Sequence, residues 1–327
     1  MTVTIEDILE RHRESLRWLY PPETFCYELS CDDLWFPDPR LGIVPETGTD
    51  PISTAEYDTC VAVGADLNPD RLEVAYSHGF FPWGEAEDEV KYWHAPIARF
   101  VLFPERVHIS HSMRTLLNKK RYLVSINRAF PAVIRNCGEV DGRNRQEGYW
   151  LGEEIIEVFT ELYRRGKAVS VEVWDSRPDP SVEALTAAEC IDPHTRDEYP
   201  ADGVVPEKDW QLVGGLYGYL SNRAFLGDSM FSRVPSGSKI ALIGLSQWLQ
   251  EKGDCLIDLQ IRTEHLESMG GEYIDYARFM SYVNPEVYRA NPSLREHPCY
   301  SVQERERILC DPACLFTDPS LSILAIC

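Results

Sequence analysis

Two polar side chains interrupt the apolar run Cys255 to Ile261: Asp258 and Gln260, two residues apart. In a strand, alternation puts both on one face, roughly 7 Å apart, with Ile257, Leu259 and Ile261 on the other. A carboxylate and an amide projecting together from an apolar strand need partners or a purpose, because unpaired burial is costly. The pattern leaves two readings open, polar chemistry at the strand or a buried network tying the sheet to a loop. A second run, Gly227-Asp228-Ser229-Met230-Phe231-Ser232, mixes small, acidic, hydroxyl and large apolar residues. Such runs line pockets, and a strand end with a turn explains the run nearly as well.

Other candidates carry less. Leu242, Leu245 and Leu249 share one helix face and read, taken alone, as core. Arg233 with Gly237-Ser238 superficially suggests a phosphate clamp at a helix start, without the spaced second glycine of a coenzyme A loop. His108 and His111 have no carboxylate or cysteine at ligand spacing and read as surface histidines. The ten cysteines include no CxxC pair. They read as reduced and mostly buried, with Cys310 and Cys314, three residues between them, the nearest to metal-ligand spacing.

The elements that must position these residues follow from the pattern. Residues 1–34 predict an amphipathic helix ended by Pro21 and Pro22, and 35–60 irregular connection. Asn68-Pro69 predicts a capped helix running to Gly79, followed by the aromatic cluster Phe80-Phe81-Pro82-Trp83. Residues 107–137 predict two short helices around a strand at Tyr122 to Ile126. Ile155, Ile156, Phe159, Leu162 and Tyr163 mark a helix from Glu153 that stops at Gly166. Lys167 to Trp174 alternates as a strand, with Ala168, Ser170 and Glu172 on one face. Residues 175–210, with five prolines and a net charge of −7, break the pattern as a surface insertion. A glycine-rich strand at Leu212 to Tyr219 follows, which some other group must approach closely. A strand from Ala224, a helix over 238–252 and the strand from Cys255 complete an α/β unit with a mixed sheet.

Composition bounds the function. The 327 residues, 44% hydrophobic with 36 aromatics, suggest two domains and exclude general disorder. No apolar stretch approaches the roughly 18 residues of a membrane span. The charged N-terminus lacks a signal peptide's apolar region, so a cytoplasmic protein is expected. A net charge of −21 argues against a general nucleic-acid binder. The segment 114–145 is nevertheless +6, with Arg114, Lys119, Lys120 and Arg121 at its start. Such a surface can hold one nucleic acid in one orientation while the acidic remainder repels others; a solvated helix face is the plainer reading.

Several motifs in order carry a resemblance. Val63-Gly64-Ala65-Asp66-Leu67, Ala75-Tyr76-Ser77-His78-Gly79 and Phe81-Pro82-Trp83 resemble the opening of the leucyl/phenylalanyl-tRNA–protein transferases. The likeness continues through Ser170-Val171-Glu172-Val173-Trp174, Leu212 to Gly218, Gly227 to Arg233 and Leu256 to Gln260, over roughly residues 60–280 apart from the insert. The resemblance implies an N-terminal mixed domain followed by a GNAT-like acyltransferase domain, in an α/β (α+β) protein. The expected organisation is an extension over 1–34, a domain over 35–105, a catalytic domain over 106–284 holding the insert 175–210, and a tail over 285–327.

The same resemblance implies transfer of Leu, Phe or Met from aminoacyl-tRNA to the α-amino group of proteins beginning with Arg or Lys, marking them for proteolysis. It gives Asp258 the task of attracting the peptide's α-ammonium and helping to remove its proton, and Gln260 that of orienting the nitrogen. Leu216, Met230, Leu242, Leu245, Leu249 and Ile257 fall on the family's apolar pocket, and Asp228 on an acidic position beside it. Trp83 and Trp150 fall on its aromatic residues near the terminal adenosine. The basic run would hold acceptor-stem phosphates without reading sequence. No metal, cofactor or membrane is implied, and a monomer is expected.

Three departures stand out: Asp228 for the usual Glu, Phe159 for a usual Tyr, and Tyr92-Trp93-His94-Ala95-Pro96-Ile97 for Trp-Trp-Ser-Pro. The first two fall close to the chemistry and bear on amino-acid and acceptor preference. The rival readings are a related aminoacyl-tRNA-dependent transferase with another acceptor and a non-catalytic tRNA-binding adaptor.

Overall fold

The structure, a computed structural model, describes residues 27–32, 34, 36, 39, 60–85, 91–96, 98–139, 152–191 and 201–290. The expected N-terminal helix, Trp150 and the Cys310/Cys314 pair lie outside these residues. The chain divides into two units, residues 1–99 with 273–327 and residues 100–272. The expected domain limits were 105/106 and 284/285. The first unit is therefore built from both ends of the chain, which no local pattern announces.

The first unit contains β1 (Tyr27–Leu29), β2 (Cys60–Gly64), α1 (Pro69–Ser77), β3 (Phe81–Glu85) and β4 (Lys91–His94). Asn68 caps α1 as expected, its side chain accepting from the Arg71 N–H at 2.8 Å, and Pro69 occupies the first turn. Arg71 is buried. Its Nε donates to Asp66 at 2.8 Å and its Nη2 to the Ser30 and Cys31 carbonyls at 3.1 and 3.2 Å, which accounts for the Asp66 motif. The strands run β1-β2-β4-β3, so β3 lies at a sheet edge. That is where Pro82, with no N–H to give, is tolerated.

The chain enters the second unit through β5 (Ala98–Leu102) and continues through α2 (His111–Asn118), β6 (Tyr122–Ile126), α3 (Phe130–Glu139), α4 (Glu153–Arg164) and β7 (Ala168–Asp175). Next come α5 (Ala187–Cys190), β8 (Asp202–Gly203), β9 (Gln211–Leu220), β10 (Ala224–Ser232), α6 (Gly237–Gln250), β11 (Leu256–Gln260) and α7 (Glu264–Ser268). It returns to the first unit through β12 (Glu272–Asp275), α8 (Tyr276–Val283) and α9 (Pro285–Ala290). Strands β5, β11, β10, β9, β7, β6 and β8 hydrogen-bond in that order, antiparallel except for the parallel pair β10 and β11. This is the expected mixed sheet.

Helix α6 covers one face of that sheet, and α3 with α4 the other. The group that approaches glycine-rich β9 is the start of α6: a Cβ on Gly214 would lie 2.8 Å from the Gly237 backbone. On the opposite face the Tyr217 ring meets Phe159 at 4.9 Å and Phe130 at 6.1 Å between centroids. The described part of the insertion is tied down at the sheet edge. β8 pairs with β6, a capping box at Thr186 and Glu189 starts α5, and Gln211 Oε1 accepts from the Asp179 N–H at 2.8 Å.

Candidate active site

Strands β10 and β11 pair over only three residues, the last being Leu226 with Asp258. Just beyond, each strand shifts register against its other neighbour: β10 between Gly227 and Ser229, and β11 between Asp258 and Gln260. The two parallel strands thus stop pairing, each with a bulge at the same level, toward their carboxyl ends. Ligands of open α/β sheets bind outside the carboxyl ends of the strands, and bulges re-aim side chains beside active sites. Asp228, Asp258 and Gln260 all lie at this level.

Asp258 is fully buried, and its Oδ1 accepts from the Gln260 N–H at 2.9 Å. Gln260 has a left-handed backbone, φ 60°. The simple alternation expected for the pair does not hold. Asp258 stands opposite Val101 and Gln260 opposite the adjacent Phe100, so Leu259 is an extra residue and the bulge re-aims Gln260.

The apolar candidates converge on the other face. Leu216 and Met230 are cross-strand partners on the α6 side, and Ile257 pairs with Phe225 on that side too. Leu242, Leu245 and Leu249 are buried on α6, while Met230 is half-buried. Register places Asp258, through Leu226 and Tyr219, on the face of Tyr217. The apolar set and the carboxylate therefore occupy opposite faces of the sheet.

Two buried groups went unassigned in the sequence. Glu172 is fully buried on β7, between valines. Its carboxylate accepts from Ser125 Oγ at 2.6 Å, Ser170 Oγ at 2.5 Å and the Ala129 N–H at 3.3 Å. Burial outweighs those bonds and pushes its pKa up to about 7. A lone Glu in a valine strand was the signal that could have found it. The Tyr217 hydroxyl is buried with no protein hydrogen-bond partner, and burial together with the Asp228 charge holds it protonated.

The basic candidates separate. Arg121 grips the Asp175 carboxylate with Nε at 2.9 and 3.0 Å and Nη2 at 2.7 Å. Arg114, Lys119 and Lys120 are exposed on and after α2. Arg233 donates to Asn136 at 2.6 Å and to the Glu183 carbonyl at 2.8 Å, which is a structural task rather than a phosphate clamp. His108 and His111 are exposed, and among the described residues no cluster of His, Cys, Asp or Glu is arranged to hold a metal. The described cysteines are free, all buried except Cys31. No described helix is long and apolar enough to cross a membrane. Trp83 belongs to the first unit, on β3, and is 42% exposed.

A mixed sheet with one parallel pair beside a buried carboxylate is consistent with the α+β acyltransferase fold that the resemblance implies. Comparison with known proteins specifies it. The family described as leucyl/phenylalanyl-tRNA protein transferase matches residues 101–178 and 204–284, and that family's N-terminal domain matches residues 65–96. The unmatched 179–203 fall within the insertion. The chain is 38% identical over 231 residues to the leucyl/phenylalanyl-tRNA–protein transferase of Flavobacterium johnsoniae, covering 71% of this chain and 92% of that one. It is 39% identical over 243 residues to that of Christiangramia forsetii (74% and 98%). For the Pseudomonas aeruginosa protein the identity is 37% over 237 residues (72% and 88%). The chain belongs to the leucyl/phenylalanyl-tRNA–protein transferase family and is an aminoacyltransferase.

Proposed function

We propose that the protein moves Leu, Phe or Met from aminoacyl-tRNA to the α-amino group of proteins that begin with Arg or Lys, and so directs them to proteolysis. The observation that carries this reading is the buried Asp258 at the point where β10 and β11 stop pairing. An aminoacyl ester is already activated, so alignment supplies much of the acceleration. The Asp258 carboxylate attracts the acceptor's α-ammonium and takes a proton from it. The free amine attacks the ester carbonyl, a C–N bond forms and the C–O bond breaks. The nitrogen gives up a second proton as the amide forms; one of the two protons ends on the terminal ribose oxygen of the tRNA and the other passes through Asp258 to solvent. Gln260, held by the bulge, orients the attacking nitrogen. No step calls on a metal or a cofactor.

Leu216, Met230, Leu242, Leu245, Leu249 and Ile257 form the apolar wall for the aminoacyl side chain, with Asp228 at its rim. Shape selects unbranched-β side chains there, at about 1–3 kcal/mol of discrimination. Trp83 and Trp150 receive the terminal adenosine, and Arg114, Lys119 and Lys120 the acceptor-stem phosphates. The acidic remainder of the surface favours a basic N-terminus over a second RNA. The protein acts as a cytoplasmic monomer, which sedimentation and fractionation check.

The test is transfer of labelled leucine from Leu-tRNA to a peptide beginning with Arg, with Asp258→Ala and a Gly-initiated peptide as controls. Transfer that needs both Asp258 and the basic N-terminus supports the reading. Binding of tRNA with no transfer from Leu-, Phe- or Met-tRNA would move the reading to another acceptor or to an adaptor.

A further inference from the structure

Strand β3 exposes one large aromatic side chain, Trp83, while its neighbour Phe81 is 1% exposed. An indole this exposed ordinarily moves among rotamers, and every rotamer given up on binding costs affinity. Here one buried side chain holds it from two directions. The His94 ring meets the Trp83 indole at 5.3 Å between centroids and 69°, an edge contact, and its Nε2 lies 3.1 Å from the Trp83 carbonyl oxygen. Facing a carbonyl, Nε2 must carry the hydrogen and donate. Behind it, His94 stacks on Phe81 at 5.8 Å and 27°, and the Arg99 guanidinium lies 4.7 Å over the other ring of that stack, Phe81. Burial first, and then the Arg99 charge, bring the His94 pKa down to about 3, against the pull of the Trp83 carbonyl. The ring is therefore a neutral donor throughout the physiological range.

We propose that His94 is a positioning residue for Trp83, fixing both the backbone and the indole of that tryptophan as a rigid platform for a flat purine face. The inference rests on the reading of Trp83 as the stacking partner of the terminal adenosine. It assigns a task to a residue in the stretch Tyr92 to Ile97, which departs from the family's Trp-Trp-Ser-Pro pattern. His94 fixes the indole before the base arrives, so that stacking does not have to order it.

The experiment is a double-mutant cycle with Trp83→Ala, His94→Ala and the double variant. The readout is KM for Leu-tRNA and for an Arg-initiated peptide, with Tm as the check on folding. Stacking worth about 1–3 kcal/mol per base makes Trp83→Ala raise KM for aminoacyl-tRNA roughly 5- to 150-fold. His94→Ala is expected to raise the same KM several-fold without raising that for the peptide, and to add nothing in the Trp83→Ala background. If His94→Ala fails to fold, His94→Gln, which keeps an N–H donor but loses the ring, is expected to fall between wild type and Trp83→Ala. Equal losses from His94→Ala with and without Trp83 would overturn the proposal, because His94 would then act independently of the indole. An unchanged KM in a folded His94 variant would overturn it as well. If Trp83→Ala itself leaves KM intact, the adenosine reading of Trp83 falls and this proposal with it. Absence of transfer by the wild-type protein is instead a failure of the proposed reaction.

Discussion

The Asp258 carboxylate accepts a hydrogen bond from the backbone N–H of Gln260 at 2.9 Å, across a bulge that leaves Gln260 at φ 60°. One oxygen of the group assigned to proton removal thus also shapes the backbone of the group assigned to orientation. The two residues are a single device: a change at Asp258 disturbs Gln260 through the turn between them.

That coupling separates two substitutions. Asp258→Asn retains an oxygen for the Gln260 N–H and removes the charge, whereas Asp258→Ala removes both. Loss of general-base assistance costs about 10²- to 10⁴-fold. We expect kcat/KM for transfer to fall in that range for both variants. Only Asp258→Ala should also lower Tm, because it leaves the Gln260 N–H without its acceptor. A thermal melt beside the transfer assay reads both effects.

Gln260 tests the strain directly. A side chain in the left-handed region costs about 1–2 kcal/mol that glycine avoids. Gln260→Gly is therefore expected to raise stability by up to about 1 kcal/mol, offset in part by the entropy glycine adds to the unfolded chain. Transfer should fall, since the orienting carbonyl is gone. A variant both less stable and fully active would show that the bulge serves neither role.

What the sequence made legible is what local chemistry sets. Asn68 and Pro69 announce α1 because cap and first turn lie within three residues. The apolar spacing from Ile155 to Leu162 announces α4, and the valines of β7 announce a buried strand. The edge strand β3 shows in the sequence only as an aromatic cluster stiffened by Pro82, because proline fits a strand at an edge and that edge is set by pairing with β4. Both bulges escaped for a related reason. Whether Leu259 is an extra residue depends on β5, some 160 residues away in the chain, and Asp228 is displaced against β9. The candidate residues could be named from their order along the chain, but their arrangement depends on pairings no window contains. Glu172 was visible as a Glu among valines, while its donors Ser125 and Ala129 come from another strand and the start of a helix.

Among the basic residues, geometry predicts two different failures. Asp175 is 1% exposed and Arg121 is its bidentate partner. Removing that partner leaves the buried carboxylate with the Arg177 N–H at 2.9 Å as its remaining donor, at about 1–3 kcal/mol. Arg121→Ala should lower Tm by several degrees and weaken tRNA binding only through that loss. Lys119→Ala and Lys120→Ala should leave Tm unchanged. Each should lower the slope of log Kd against log salt by about 0.7–0.9 for every phosphate contact removed. Salt titrations of tRNA binding, run beside thermal melts, separate the two classes.

The pH dependence of stability should trace to Glu172. Its folded pKa of about 7 lies above the ordinary carboxylate value of 4.5, so between those pH values the folded protein holds a proton that the unfolded chain has released. Stability then falls as pH rises through that window, because the unfolded state binds fewer protons there. The full shift corresponds to a loss on the order of 3 kcal/mol from pH 5 to pH 8. Glu172→Gln removes the titration while leaving an oxygen to accept from Ser170 or Ser125 and the Ala129 N–H. Its Tm is therefore expected to stay nearly level over pH 5–8, where that of the wild type declines. Parallel slopes for the two proteins would mean that the hydrogen bonds from Ser125, Ser170 and Ala129 keep Glu172 ionised in the folded state. The network would then be a permanently charged anchor for the start of α3.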